Sequence, residues 1–148
     1  MAVERDRPYS AFRYLVNLGD GTDGAKAGFQ EVTGLGVEVT MQEYRAGNDV
    51  RNAPLKIPGL YKATDISLKR GVLGALDLTN WLNQVRSGED ARRDITIQLQ
   101  SEDRSAIAMT WQLVGAQPMK YTGPSLNGKG TDVAIEELGL SVEDIKFE

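Results

Sequence analysis

Apolar residues recur at every second position through most of this chain, and at helical spacing in only one stretch. Phe12, Tyr14, Val16 and Leu18 alternate with Arg13 and Asn17. Val37, Val39 and Met41 alternate with Glu38, Thr40 and Gln42, and Ile66 and Leu68 with Ser67 and Lys69. Ile95, Ile97 and Leu99 alternate with Thr96, Gln98 and Gln100, and Ile107, Met109, Trp111 and Leu113 with Ala108, Thr110 and Gln112. Side chains on a strand point to opposite faces in turn, so each run predicts a strand with one buried face. Phe29 to Val32 is a weaker strand, broken by Gly34-Leu35-Gly36, and Met119–Tyr121 fits a short one. A last strand starts at Val133 and Ile135, and its phase slips at Glu136-Glu137 before Leu140 and Val142, which predicts a bulge or a change of face. Leu78, Trp81, Leu82 and Val85 alone follow the i, i+3, i+4, i+7 spacing, with Asp77 early, Arg86 late and Gly88 just beyond. The pattern predicts a mainly β fold: an antiparallel barrel or sandwich of about six to eight strands with one flanking helix. At 148 residues, with no repeat, low-complexity tract or linker, residues 1–148 read as a single domain.

Between the strands at Val37–Gln42 and Asp65–Lys69 lie roughly 20 residues with neither period, longer than loops of compact domains usually run. Two prolines, Leu55, Ile57, Leu60 and Tyr61 set this segment apart from a solvated linker. It reads as an arm built to lie on something, ordered over Arg45 to Tyr61 by contact with neighbouring molecules.

Chemistry is constrained by what is missing. The chain has no cysteine and no histidine, which removes disulfides, thiolate and imidazole ligands, and Ser-His-Asp or Cys-His catalysis. No apolar run approaches the 18 residues of a membrane-spanning helix, and the start MAVERDRPYS is charged rather than signal-like. The expectation is a protein made in the cytoplasm without a signal peptide. A net charge of −4 argues against general DNA binding through a basic surface. The charge is uneven: six basic residues against two acidic ones from Arg45 to Arg70, and six acidic against Lys146 from Asp132 to Glu148. Either these are two solvated faces, or the arm of one chain meets the acidic tail of another.

Three motifs fail on context. Gly19-Asp20-Gly21-Thr22-Asp23-Gly24 matches G-x-G-x-x-G, but no helix can open before the next strand, and its carboxylates oppose phosphate, so it reads as a hairpin turn. As a calcium loop it has Ala25 where glycine is needed. Gly123 to Gly130 approaches a P-loop but puts Gly130 in the magnesium-binding Ser/Thr slot and is followed by strand-like alternation. Glu136-Glu137 and Glu143-Asp144 are sequence neighbours, so on a strand they point apart and make no catalytic pair. Trp81 and Trp111 read as core. The polar faces Glu38-Thr40-Gln42, Thr96-Gln98-Gln100 and Thr110-Gln112 carry fewer charges than a solvent face usually does, as the wall of a water-filled bore would.

The arm also carries a recognisable pattern. YRAGND, KIPGLYK and DISLKRGV resemble the tail tube proteins of contractile-tailed phages and the inner tube proteins of contractile injection systems. The expected order is Y-R-x-G, K-[LIM]-P-G and [DN]-I-[ST]-L-[KR]-[KR]-G. Tyr44, Arg45 and Gly47 match the first, Lys56 to Gly59 the second, and Asp65 to Gly71 the third. Phe12-Arg13-Tyr14, the tryptophan-bearing helix, Arg93 to Ile97, Thr110-Trp111, Gln117-Pro118 and Val133 to Glu137 extend the likeness along nearly the whole chain. The glycine-rich acidic turn GDGTDG departs from it. The resemblance implies a tail-tube, haemolysin-coregulated-protein-like barrel that forms homohexameric rings, stacked into a hollow tube within a contractile sheath. It implies no enzyme activity, cofactor, metal or membrane insertion. The implied partners are other copies of the chain, the sheath protein, baseplate and tail-terminator proteins, and DNA or a protein effector as lumen cargo. Tyr44, Arg45, Gly47, Asn48, Leu55, Lys56, Ile57, Pro58, Gly59, Leu60 and Tyr61 would meet neighbouring subunits, as would Glu136, Glu137, Glu143 and Asp144. Glu38, Thr40, Gln42, Thr96, Gln98, Gln100, Thr110 and Gln112 would face the lumen. The competing expectation is a monomeric barrel that binds a small molecule under residues 45–61 as a lid.

Overall fold

A computed structural model describes residues 2–19, 28–74 and 76–148. The elements run β1 (Tyr14–Asn17), β2 (Glu31–Thr33), β3 (Val37–Tyr44), β4 (Leu55–Ala63), β5 (Ile66–Gly71), α1 (Asp77–Arg86), β6 (Arg93–Gln100), β7 (Ile107–Thr122), β8 (Ile135–Ser141) and β9 (Asp144–Phe147). Among the described residues seven strands form one antiparallel sheet in the order β1-β6-β7-β8-β5-β2, with β9 added on the first half of β7, while β3 and β4 pair only with each other.

The sheet curls because β7 serves two halves of it. Its first part pairs with β6 and β9, and its last part, from Gln117, pairs with β8. Gly115 sits at the changeover with φ 66°, a left-handed conformation that disfavours any side chain, and an added Cβ would lie 2.5 Å from the Glu143 carboxylate. Register shifts on either side, at Arg93/Ile95 and Pro118/Lys120, complete the bend. The two ends of the sheet then approach each other. The Tyr14 hydroxyl of β1 donates to the carbonyl of Phe29, just before β2, at 2.6 Å.

Inside the curl lie Val16, Ile66, Leu68, Ile95, Ile97, Leu113, Leu138, Leu140 and Ile145, one face of each alternating strand. Helix α1 covers this core with Leu78 and Trp81. The Trp81 indole is fully buried and donates to the Ala91 carbonyl at 2.6 Å. Gly88 ends the helix at φ 81°, with its N–H donating to Val85.

Among the described residues nine strands stand where about six to eight are predicted, and the differences have local causes. The arm is not aperiodic throughout: Leu55–Ala63 is strand β4, paired to β3 within the chain, leaving only 45–54 as the turn. An extra residue in β4, Gly59-Leu60 against Thr40, breaks the alternation that would have revealed it. Met119–Tyr121 is no separate strand but the end of β7. Of the two readings of the phase slip in the last strand, β8 shows the change of face and not the bulge: it pairs with β5 without interruption, while the apolar residues pass from the outward face at Ile135 to the inward one at Leu138 and Leu140, with Glu136 pointing inward. Asp144–Phe147 adds β9. The strand at Tyr9–Leu18 is shorter, Tyr14–Asn17.

The hairpin leaves the barrel through a pinned base. Thr64 donates its N–H to the Gly36 carbonyl at 3.0 Å and its hydroxyl to the carbonyls of Gly34 and Gly36. Gly34 has φ 90°, and an added methyl would run into the Asp65 carbonyl oxygen. Gly34→Ala should therefore cost about 1–3 kcal/mol, read as a lowered thermal midpoint. An unchanged midpoint would show that the base relaxes freely.

Candidate functional site

The strand registers bring the predicted polar residues of β6 and β7 onto one face. Asn17, Thr96, Gln112 and Lys146 form one row across β1, β6, β7 and β9. In the next row Leu15, Gln98 and Thr110 are aligned, and Thr110 exchanges backbone hydrogen bonds with Glu148 at 2.9 and 3.0 Å. Gln100 donates its N–H to the Arg13 carbonyl at 2.9 Å and so begins a third row. Directly opposed residues share a face in an antiparallel pair, so this face is four strands wide, with the apolar core behind it. Its middle strands carry amides and hydroxyls, and its charges sit on the flanks. Thr96, Gln98, Thr110, Gln112, Ile107 and Glu148 line an open groove of about 420 Å³. Sequence reasoning missed β1 and β9 as its flanks. The signal existed in Asp144-Ile145-Lys146-Phe147-Glu148, which alternates, but it lay beyond a strand already expected to end at Val142.

Glu38, Thr40 and Gln42 do not join that sheet, because they lie on β3 of the separate hairpin. The same hairpin holds Tyr44, Leu55, Lys56, Ile57, Pro58, Gly59, Leu60 and Tyr61, with Arg45, Gly47 and Asn48 in its turn. Arg45 donates to the carbonyls of Arg51 (3.0 Å) and Asp49 (3.1 Å), and Asp49 donates its N–H back to Ala46. The Y-R-x-G pattern thus builds the tip, with the arginine as an internal staple.

The acidic candidates divide. Glu136 is 4% exposed and lies within a buried network. It accepts from Arg70 Nε at 2.6 Å and from the Tyr121 hydroxyl at 2.6 Å, and the rest of the guanidinium reaches both Asp77 oxygens at 2.5 and 3.1 Å. This corrects the expectation that Glu136 faces another chain: the basic and acidic segments meet in part within one molecule. Burial pushes the Asp77 carboxyl up, but the hydrogen bonds and charge of Arg70 outweigh it and hold it below the usual carboxylate range. The hydrogen bond to Glu136, with burial, pushes the Tyr121 phenol up. Glu137 accepts from the Ser67 hydroxyl at 2.5 Å. Glu143 is exposed and meets Arg92 at 3.3 Å, and half-buried Asp144 opens β9.

No catalytic arrangement appears among the described residues. The Gly19–Gly24 turn lies, past Gly19, outside the described residues. Gly123 to Gly130 leads to no helix, since the next element is β8. A cleft of about 400 Å³ opens between β1 and β2, lined by Tyr9, Tyr14, Val32, Leu35, Leu99 and Trp111 among others, with no hairpin residue on it. No helix among the described residues is long and apolar enough to cross a membrane.

A curled β sheet with a polar wall instead of a polar pocket, and with its surplus of apolar side chains on a projecting hairpin, defines a self-assembling structural subunit. The family model of the T4-like virus tail tube protein gp19 matches residues 10–146, and the chain belongs to that family. It is similar to a chain of the sheath–tube complex of an extracellular contractile injection system, PVC, in the extended state. That likeness has 30% identity and a TM-score of 0.84, covering 97% of this chain and 93% of that one. A chain of the PVC sheath/tube terminator is 32% identical with a TM-score of 0.84, covering 99% of both. Hcp1 from Flavobacterium johnsoniae, 16% identical with a TM-score of 0.55 over 90% of this chain and 93% of that one, shares the fold. No curated protein matches the chain.

Proposed function

We propose that this tail tube protein assembles as hexameric rings stacked into a hollow tube of a phage tail or contractile injection particle, without catalysing a reaction. The single domain, 1–148, supplies one sixth of each ring. The observation that carries this reading is the four-strand face with uncharged Thr and Gln in its middle, which suits the wall of a bore. Apart from Leu15 and Ile107, such a wall offers cargo neither apolar stickiness nor the strong positive charge that holds nucleic acid. DNA or a protein effector would pass through it. The sheath and a tail terminator would bind the tube from outside and at one end, as the likeness to chains of the PVC sheath–tube and terminator complexes supports, and a baseplate would bind the other end. The alternative of a small-molecule barrel with a lid finds no support in the β1/β2 cleft, which the hairpin does not line.

Electron microscopy of the purified protein tests the assembly: rings of about six copies or tubes are expected, and a clean monomer at high concentration would sink it. The wall has its own check, because the chain has no native cysteine. In tubes, a cysteine at Gln98 should react with a small maleimide and resist one carrying a bulky polymer. Equal reaction with both would place this face outside.

A further inference from the structure

Residues 123–134, which join β7 to β8, hold the chain's single Asn-Gly pair, Asn127-Gly128. The loop is tied at both ends: Thr122 pairs with Glu137, and the Ala134 carbonyl accepts from the Val72 N–H at 3.0 Å. Between these ties Asn127 builds its own turn. Its side-chain Oδ1 accepts from the Lys129 N–H at 3.0 Å, and its main-chain carbonyl accepts from the Gly130 N–H at 3.0 Å. The Gly128 N–H donates to nothing among the described residues. A Cβ added at Gly128 would meet no atom within 4 Å, and Asn127, Gly128 and Lys129 are all exposed.

This arrangement sets an electrophile beside a nucleophile. The Asn127 carboxamide carbon is one residue from a peptide nitrogen that holds no hydrogen bond and has no side chain to crowd it. As that nitrogen attacks, negative charge develops on Oδ1, and a backbone N–H already aimed at this oxygen stabilises it. Glycine also reaches the required backbone angles without the penalty of a Cβ.

We propose that Asn127 is a site of spontaneous modification, converted through a cyclic imide to aspartate and isoaspartate. The Gly128 nitrogen gives up its proton to hydroxide and bonds to Asn127 Cγ, the carboxamide C–N bond breaks, and ammonia leaves. Water then opens the five-membered ring. Opening at Cγ restores the ordinary chain with an aspartate, and opening at the main-chain carbonyl routes the backbone through the side chain as isoaspartate. Either product adds a negative charge to a chain that carries −4. The new carboxylate lies with Asp132 on the rim of an open groove of about 600 Å³, beside the exposed Leu126 and Val133. Because the reaction consumes only water, the converted fraction records the age of the chain.

The remaining asparagines lack this combination. Asn17 makes the same turn, its Oδ1 accepting from the Gly19 N–H at 2.9 Å, but the residue after it is Leu18, 1% exposed. Asn80 and Asn83 lie within α1, followed by Trp81 and Gln84. Asn48 precedes Asp49, whose N–H is held by the Ala46 carbonyl, and Asn52 precedes Ala53, whose side chain stands beside the attacking nitrogen.

Mass spectrometry of the purified protein held at mildly alkaline pH tests the proposal. The peptide bearing Asn127 should gain one mass unit with time, in proportion to hydroxide, and before any other asparagine-bearing peptide does. Mass gain is the readout because Asp20-Gly21 and Asp23-Gly24 can isomerise through a similar ring without changing mass. Gly128→Ala should slow the gain at least tenfold and leave the circular dichroism spectrum and thermal midpoint unchanged, since a methyl group fits there. A synthetic peptide of residues 124–131 supplies the unstructured rate, and the folded chain should convert within tenfold of it. Slower conversion than that, an earlier gain at another asparagine, or a Gly128→Ala protein that converts as fast as the native one would overturn the proposal.

Discussion

Replacing Arg70 by methionine is expected to lower folding stability by about 3–5 kcal/mol, because it strands two carboxylates in the interior. Arg70 is 1% exposed and bridges β5 to β8 through Glu136 and to the first turn of α1 through Asp77. Methionine fills a similar volume, so the loss reports on uncompensated charge more than on a cavity. Replacing all three groups together, Arg70→Met with Glu136→Leu and Asp77→Asn, should recover much of that loss, since a buried pair is weak evidence of net stabilisation. Urea unfolding measures both, and a loss under about 1 kcal/mol for Arg70→Met would refute the network's structural role. The network also sets a pH window. Asp77 has a depressed carboxyl pKa in the fold, so its contribution is present above the ordinary value of about 4 and is lost as pH falls through the folded value. Tyr121 has a raised pKa, so its contribution is present below about 10 and is lost as pH rises through the folded value. Stability of the native protein should decline beyond both edges, and the triple replacement should soften the acid one.

Trp81→Ala should be comparably severe, at about 3–5 kcal/mol, by opening a cavity under the helix. Trp81 is fully buried, its indole holds Ala91, and Arg93 lies 4.5 Å from its ring centre. Trp81→Phe keeps most of the volume and loses the hydrogen bond, leaving the Ala91 carbonyl unpaired at about 1–3 kcal/mol. Tryptophan fluorescence from Trp111 still reports unfolding in both variants. Equal losses from alanine and phenylalanine would mean that the hydrogen bond, not packing, anchors α1.

Alternation and helical spacing were enough to read most strands, the helix and the polar faces of β6 and β7 from sequence, because those elements obey one rule along their whole length. The failures occur where two rules meet. β4 has a proline, a bulge and apolar residues on both sides, so its period dissolves even though its backbone pairs with β3 on either side of the bulge. Glu136 looked like a break in phase because a carboxylate is normally an outward residue. Its inward position depends on Arg70, sixty-six residues earlier, which no local pattern reveals. The arm motif was legible as a motif, but the part its Arg45 plays in closing the hairpin turn was not, because its acceptors are the backbone carbonyls of Asp49 and Arg51. Neighbour relations across the sheet, such as Asn17 and Lys146 flanking Thr96 and Gln112, are set by topology and cannot be counted along the chain.

The sixteen-residue strand β7 has a mechanical consequence. Where two sheets merely stack, sliding one over the other breaks only weak contacts between faces. Here a single unbroken backbone runs through both halves, so a force on one is transmitted to the other through covalent bonds. Shear along this strand must first straighten the bend at Gly115, against the Glu143 side chain packed there. A subunit built this way is stiff along the strand and yields, if anywhere, at that one bend.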